Sequence, residues 1–390
     1  MNYNNNIATQ ASGVLRVSCS LLFMLFSFCY LSFLEGDILT EAQYVFSHGL
    51  TTYSILVGAA TLTIVLQLLQ WLTCRVFKFP WQYYALSYLP SLTALACLTH
   101  LSHDTITAHP YGSWTWVAPL LLLAYVLLIT LLRKMRLGDN VDSIKPMLWQ
   151  NYLLLLLMLV CCGAASVTTD IQCYELKTER LIMQGDYEGA AQVADRSLVS
   201  SRRLTELRMF ALAKQGLLAE RLFCYPQYYG ASGLLSIADS SSLYRFSPQS
   251  ICYSLGAIPD GRTIRSTHHY LGVMNREDSL RTVLTIDYHL CYLLLQKDLS
   301  RFAACLKKYY PQTATHLPQA YREAVLYINN VYGKQIQKLD YAIDAETTDM
   351  YNRYKALKEE ISDSLERRNL TRRQFGNTFW WYYEFQKQLK

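Results

Sequence analysis

The chain has 390 residues, of which 52% are hydrophobic and only 17% charged, and its formal net charge is +6. Basic residues alternate with acidic ones instead of forming a stripe of one sign, which argues against a nucleic-acid-binding protein. The eleven cysteines include no C-x-x-C pair, and several lie in apolar stretches, which argues against a zinc ribbon, a thioredoxin-type motif and a disulfide framework.

The charged residues are concentrated in the second half of the chain. Residues 1–166 contain only 7 of the 36 Lys and Arg and 6 of the 30 Asp and Glu. We therefore predict an all-α protein with three parts. These are a disordered N-terminus at 1–12, a transmembrane domain at 13–167 and an extracytoplasmic helical domain at 168–390.

Five apolar stretches of the first half are near the length that a helix needs to cross a bilayer. They cover residues 17–34, 50–73, 83–101, 114–132 and 147–167. Trp114 and Trp149 stand close to the ends of their stretches, where amphipathic rings favour the membrane interface. The pattern predicts a polytopic bundle of about five membrane helices.

The loops between these stretches indicate an orientation. Arg75 and Lys78 follow the second stretch, and four basic residues from Arg133 to Lys145 follow the fourth, whereas the loops after the first and third contain no Lys or Arg. The positive-inside rule then places the N-terminus in the cytoplasm. With five spans, the second half of the chain is predicted to lie in the periplasm of a bacterium whose inner membrane holds the first half.

The centre of every predicted span lacks Asp, Glu, Lys and Arg, which argues against an ion-coupled transporter. Gln67, Gln70 and Asn151 are polar enough to form hydrogen bonds between helices, and we expect them to do so.

One group of polar residues near the end of the third span could bind a metal. His100, His103, Asp104 and His109 include an i, i+3 histidine pair that would share a helix face. The competing interpretation is a polar loop at the membrane interface. Because the spacing matches no established metal signature, we predict neither a metal nor another cofactor.

The second half of the chain shows paired helical patterns. Gly185-Asp186 and Gly216 stand at turns between predicted helices, and Lys297-Asp298 occupies the matching place in a third pair. The segment QGDYEGAAQVADRSL resembles a tetratricopeptide repeat, which implies an α-solenoid-like stack of helical hairpins. Residues 224–276 interrupt the pattern, either as an atypical repeat or as a binding loop.

The end of the chain carries two further features. Residues 375–386 contain seven aromatic side chains, which could form a cap that closes the helical stack or a surface that contacts a partner or the membrane. The basic run that ends at Arg372 and Arg373 is either a solvated helix face or a contact with anionic lipid or a partner.

The segments LPQAYREAVLYI, at 317–328, and FGNTFWWYYEF, which begins at Phe375, resemble an uncharacterised family of Bacteroidetes inner-membrane proteins. That resemblance implies N-terminal membrane helices and a helical, repeat-containing tail. It implies no activity and no catalytic residue.

Together these patterns predict a non-catalytic, membrane-anchored scaffold whose helical repeats bind a protein or peptide of the cell envelope. The candidate contact residues are aromatic: Tyr187, Phe223, Tyr270, Trp380 and Trp381. Two alternatives remain open. One is a membrane enzyme that acts on a lipid or cell-wall precursor, and the other is an accessory subunit of an envelope transport or secretion machine.

Overall fold

The computed structural model describes residues 2–77, 79, 81–107, 114–134, 144–164, 170–195, 197, 199–235, 246–256, 266–276, 279–311, 316–333, 335–336 and 338–387. In these residues the secondary structure is helical and contains no β-strand, which confirms the predicted all-α class. The chain divides into two compact units, one ending at Cys173 and the other beginning at Tyr174. We call them the apolar unit and the hairpin unit.

The apolar unit begins with α1 (Asn2–Cys29), a π-helical turn (Tyr30–Leu34), α2 (Gly36–Phe46) and α3 (Ile55–Phe77). A 3₁₀ segment (Trp81–Tyr88), α4 (Leu89–Thr107), α5 (Trp114–Lys134) and α6 (Ile144–Ala164) follow. Helix α1 includes residues 2–12, for which the sequence predicts disorder. Extending an existing helix by one residue adds a hydrogen bond without a second nucleation cost, so the apolar part of α1 supports these extra turns.

Three described helices are long and apolar enough to cross a membrane. They cover Gly13–Leu34, Ile55–Phe77 and Trp114–Leu132, which match the first, second and fourth predicted spans. The apolar part of α6, Leu148–Ala164, is shorter. The remaining predicted span, 83–101, begins inside the 3₁₀ segment and continues into α4.

The 3₁₀ segment is held by side chains from neighbouring helices, as expected for Gln70 and Asn151. Gln67, for which the sequence predicts the same role, instead donates to Gln70 within α3. The Asn151 amide nitrogen donates to the carbonyl oxygens of Trp81 (2.9 Å) and Gln82 (3.1 Å), and its oxygen accepts from the Ala85 amide at 2.8 Å. Irregular backbone in apolar surroundings needs such partners, because an unpaired buried backbone group costs free energy.

The hairpin unit begins within α7 (Asp170–Met183), a helix that starts in the apolar unit. It continues with α8 (Tyr187–Gln192), α9 (Arg202–Lys214), α10 (Leu218–Arg221), a 3₁₀ turn (Gly230–Gly233), α11 (Pro248–Leu255) and α12 (Thr267–Arg276). It ends with α13 (Val283–Leu295), α14 (Leu299–Tyr309), α15 (Gln319–Val331), α16 (Ala345–Glu360), α17 (Ser364–Phe375) and α18 (Phe379–Phe385).

Three helix pairs of this unit share one turn geometry. Gly185, Gly216 and Lys297 follow the first helix of each pair and have φ angles of 80°, 72° and 62°. Lysine pays a steric cost in this left-handed conformation that glycine does not. The Lys297 ammonium offsets this steric cost by donating to the carbonyl oxygens of Tyr383 (2.8 Å) and Gln386 (3.1 Å) at the end of α18.

Helix α13 forms the centre of the hairpin unit. All of its residues from Tyr288 to Leu295 are buried, and it packs against α9, α10, α12 and α14. The C-terminal helix α18 packs on α15 and α17 and buries its first four residues, all of them aromatic. The core of the unit therefore extends to the end of the described chain.

Candidate functional site

An open cleft of about 430 Å³ lies in the hairpin unit beside the junction of α17 and α18. We call it the Arg372 cleft. Its lining comprises Asp195, Ser197, Phe223, Cys224, Tyr225, Pro226, Gln227, Arg372, Arg373, Gln374, Gly376, Asn377, Trp381, Tyr382 and Gln386. Its volume lies in the range of known ligand sites.

One wall of the cleft carries two exposed guanidinium groups, those of Arg372 and Arg373, from the last turn of α17. The Arg372 side chain donates to the hydroxyl of Tyr228 at 3.2 Å and lies 5.9 Å from the centre of the Trp381 ring. These two contacts fix the direction of the guanidinium, so its remaining N–H groups can meet an acceptor in the cleft.

A buried arginine supports another part of the lining, which includes Tyr225 and Asp195. Arg208 is only 2% exposed, and its Nε and Nη2 both donate to the carbonyl oxygen of Val193. Its guanidinium lies 4.6 Å from the Tyr225 ring, whose other contacts include a hydrogen bond to the carbonyl oxygen of Ala191. Burial lowers the pKa of Arg208, and the nearby Tyr225 and Asp195 oppose that effect.

Arg208 also anchors the chain that reaches the rim of the cleft. Ala194 follows the anchored residue Val193 and has a φ of 53°, a left-handed conformation that costs about 1–2 kcal/mol for an L-residue. The next residue, Asp195, contributes the carboxylate of the cleft. The structure thus maintains a strained turn directly before an acidic residue that lines the same cleft as two arginines.

A buried carboxylate supports the helix that carries Trp381 and Tyr382. Glu323 of α15 is 1% exposed and accepts hydrogen bonds from the Phe379 amide at 2.6 Å and from the Gln319 side chain at 2.9 Å. Burial raises the pKa of Glu323 to about 7, although both hydrogen bonds act to lower it. The start of α18 is therefore attached to a group that titrates near neutral pH.

The electrostatics of the cleft favour a ligand that carries negative charge. Its lining contains two arginines and one aspartate, and the guanidinium fork matches carboxylate groups in two-point geometry. The rings of Tyr225 and Trp381 provide apolar area beside these charges. An extended peptide with an acidic side chain or a free carboxylate offers the complementary groups.

Of the four residues that the sequence offers as metal ligands in the apolar unit, the structure describes the side chain of His100 alone. His100 is 9% exposed and stacks on Trp114 with ring centres 4.4 Å apart. The side chains of His103 and Asp104, and the whole of His109, lie outside the described residues. Within the described part of the chain, no three His, Cys, Asp or Glu side chains are grouped closely enough to hold a metal ion.

The aromatic residues selected from the sequence as contact candidates lie mainly in the core. Phe223, Tyr270, Trp380 and Trp381 are all buried, and Tyr187 is half-buried with its ring 6.3 Å from that of Phe210. Phe223 and Trp381 nevertheless line the Arg372 cleft. The structure brings these two together and leaves Tyr187, Tyr270 and Trp380 outside the lining.

Sequence reasoning singled out Arg372 and Arg373 but missed Arg208 and Glu323. Arg208 lies four residues after Leu204 and four before Leu212 in α9, a position where helical periodicity indicates an apolar residue. A charged residue at an inward position was the available signal, since buried charges need dedicated partners.

A model of a protein family described as a family of unknown function (DUF6057) matches residues 105–264 and 277–386, which together make up well over half of the chain. No curated protein and no solved structure matches the chain. The matched region includes every residue that lines the Arg372 cleft, whereas most of the apolar unit lies outside it.

Proposed function

The chain belongs to DUF6057, a family of unknown function, and we propose that it is a membrane-anchored scaffold whose hairpin unit binds a segment of another envelope protein. The observation that carries this proposal is the Arg372 cleft, which places two exposed guanidinium groups beside aromatic rings. Arginine and aromatic side chains contribute most strongly where proteins bind one another.

The proposed occupant is an extended peptide with at least one carboxylate. Arg372 and Arg373 would bind the carboxylate, and the exposed Asn377 amide could form hydrogen bonds with the peptide backbone. The three helix pairs with a common turn support a tetratricopeptide-like arrangement, an architecture that binds peptides on the surface of stacked hairpins.

We further propose five membrane spans in a bacterial inner membrane, with the N-terminus in the cytoplasm and the hairpin unit in the periplasm. The three long apolar helices and the shorter apolar helix α6 support this arrangement, with α4 as the remaining span. The distribution of Lys and Arg among the loops supports the orientation.

Charge reversal in the cleft tests the scaffold function. The double variant Arg372→Glu, Arg373→Glu should lose a stoichiometric partner that copurifies with the wild-type protein from native membranes in mild detergent. The reason is that the variant presents carboxylates to a partner carboxylate. Quantitative mass spectrometry of the copurified proteins provides the measurement.

The matched control is Lys177→Glu, Lys355→Glu, which changes the net charge equally at two exposed positions outside the cleft. It should retain the partner. Equal partner recovery from both double variants, or recovery of the well-folded wild-type protein alone, would contradict the proposal. Replacing Phe223 would be a weaker test because its ring packs against Phe379 and Tyr382 in the core.

The orientation can be tested through Cys224, an exposed thiol of the hairpin unit. A membrane-impermeant maleimide added to spheroplasts should label the wild-type protein, and Cys224→Ser should lose most of that label. Cys252 and Cys291 are buried and should contribute little, and the half-buried Cys173 and Cys305 should react more slowly than Cys224. Labelling of Cys224 only after the membrane is opened would place the hairpin unit in the cytoplasm instead.

A further inference from the structure

A second cavity, of about 440 Å³, lies within the apolar unit between the middle of α1, the end of α3 and the 3₁₀ segment. The part of its lining that matters here is polar or aromatic and comprises Arg16, Gln70, Trp71, Arg75, Trp81 and Tyr84. We call it the Arg16 pocket. It shares no residue with the Arg372 cleft.

The two arginines of the pocket stand at the same end of two apolar helices. Arg16 lies near the start of Gly13–Leu34, and Arg75 lies near the end of Ile55–Phe77. Gly36 lies two residues after the end of the first helix, and a side chain there would meet Ile55, the first residue of the second helix. The end of the first helix therefore adjoins the start of the second, so the two helices run antiparallel. The pocket therefore lies close to one membrane surface, where long basic side chains can reach the headgroups.

Both guanidinium groups are held by aromatic rings. That of Arg16 lies 4.5 Å from the centre of the Trp81 ring, and that of Arg75 lies 5.2 Å from the centre of the Trp71 ring. Neither is paired with a carboxylate within the part of the chain that the structure describes. A guanidinium that stacks on a ring keeps its N–H edge available for an anion.

The walls of the pocket are fixed by hydrogen bonds. The Gln70 side chain, 3% exposed, donates to the hydroxyl oxygens of Tyr84 (3.2 Å) and Ser87 (2.9 Å). The Asn151 side-chain amide donates to the backbone carbonyl oxygen of Trp81 and so holds that residue in place. Because these contacts are already formed, an incoming ligand need not order the ring positions itself.

We propose that the Arg16 pocket binds the phosphate headgroup of an anionic phospholipid. Two guanidinium groups supply the donors that recognise phosphate oxygens, and their positive charge, which no described carboxylate neutralises, favours a headgroup with net negative charge. Tryptophan and tyrosine at the same level are typical of side chains that lie among headgroups.

The exposed apolar surface beside the pocket favours a phospholipid over a soluble phosphate ester as the ligand. Trp71 is 56% exposed, and Leu68, Leu72 and Val76 of the same helix are also exposed. In a bilayer this apolar surface would contact acyl chains, so a phospholipid can use the pocket and the surface together. A soluble ester could use only the pocket.

Quenching of tryptophan fluorescence by lipids with brominated acyl chains tests this proposal. The full-length protein is reconstituted in phosphatidylcholine vesicles that contain a minor fraction of brominated phosphatidylglycerol or, separately, of brominated phosphatidylcholine. We expect phosphatidylglycerol to be enriched around the protein by roughly twenty-five-fold, since each of two basic groups near a membrane surface contributes about a factor of five. The variant Arg16→Gln, Arg75→Gln should lose most of this preference.

The control is Lys134→Gln, which removes an exposed basic residue at the end of α5 outside the pocket and should keep the preference. The variant Arg16→Lys, Arg75→Lys retains both charges and should show an intermediate preference. It replaces the glutamine variant as the test if that variant fails to fold. Equal quenching of the wild-type protein by the two brominated lipids would overturn the proposal without any variant. Loss of the preference on adding glycerol phosphate at low concentration would assign the pocket to a soluble phosphate ester instead.

Discussion

Replacing Trp380 with alanine is expected to lower the free energy of unfolding of the hairpin unit by about 3–5 kcal/mol. The Trp380 side chain is completely buried, and its ring lies 5.2 Å from that of Tyr351 and 6.0 Å from that of Tyr354, centre to centre. Alanine would leave a cavity between α16 and α18 and would remove these ring contacts. Hydrogen exchange of the buried amides of α13 and α15 in the full-length protein would measure the loss.

Two variants separate this packing effect from others. Trp380→Phe should cost less than half as much, because a ring remains and because the Trp380 indole N–H has no hydrogen-bond partner among the described residues. Tyr253→Ala removes an aromatic residue that is 74% exposed and should change the stability by no more than about 0.5 kcal/mol. If Trp380→Ala cost no more than Tyr253→Ala, the core would not include α18.

This result would also decide between the two sequence-based interpretations of the aromatic C-terminus. The same chemical property makes tryptophan suited to interfaces and to cores, namely a large apolar ring with little rotamer entropy. Composition therefore could not tell whether 375–386 is a cap or a contact surface. Phe379 to Tyr382 are buried because α18 packs on α15 and α17. A local sequence pattern does not show that these helices meet.

Local signals predicted the hairpin turns well. Gly185 and Gly216 occupy left-handed positions that glycine adopts without strain, and Asp186 caps the next helix by accepting from the Gly189 amide at 2.8 Å. The third turn shows how far such a signal extends. Lys297 adopts the same conformation without being glycine, and its compensation comes from carbonyl groups 86 and 89 residues away.

The apolar unit shows a similar division between local and distant causes. Apolar length alone located Gly13–Leu34, Ile55–Phe77 and Trp114–Leu132. The span expected at 83–101 starts in a 3₁₀ segment because Asn151, about 70 residues further along, takes over its backbone hydrogen bonds. The sequence indicated that Asn151 would bond between helices, but only the fold shows which backbone groups it binds.

The Arg372 cleft was the least predictable feature. Its guanidinium groups were visible as a basic run, but the segment that carries Asp195 depends on Arg208, whose partner is a backbone carbonyl fifteen residues earlier. The spacing of Arg208 with Leu204 and Leu212 indicates an inward position, but the sequence does not show which group a buried Arg208 would bind. A site assembled from residues 195, 225, 372 and 381 is defined by tertiary packing alone.

Replacing Glu323 with glutamine is expected to remove a fall in stability that the wild-type protein shows as the pH rises. Burial raises the pKa of Glu323 from 4.5 to about 7 in the folded protein. Between these two values the folded state keeps a proton that the unfolded state has released, so rising pH favours unfolding. The stabilising effect of this proton is complete below about pH 4.5 and is lost by about pH 7. It amounts to about 3 kcal/mol at 1.36 kcal/mol for each pKa unit.

The glutamine variant isolates this titration because its side-chain oxygen can still accept from the Phe379 amide. The difference in free energy of unfolding between wild type and Glu323→Gln should therefore change by about 3 kcal/mol from about pH 5 to about pH 8, with the wild type losing stability. Glu359→Gln removes a charge from an exposed position and should show no comparable change.

Glu323→Ala should behave differently from glutamine at every pH. It leaves the buried Phe379 amide without its acceptor, which costs about 1–3 kcal/mol, and so weakens the attachment of the helix that brings Trp381 and Tyr382 to the cleft. A wild-type-minus-glutamine difference that stays constant with pH would show that Glu323 does not titrate in this range. If the difference changes as expected, ionisation of Glu323 near neutral pH lowers the free energy of unfolding. The same ionisation strengthens the hydrogen bond from the Phe379 amide, because a charged acceptor binds an N–H more tightly than a neutral one.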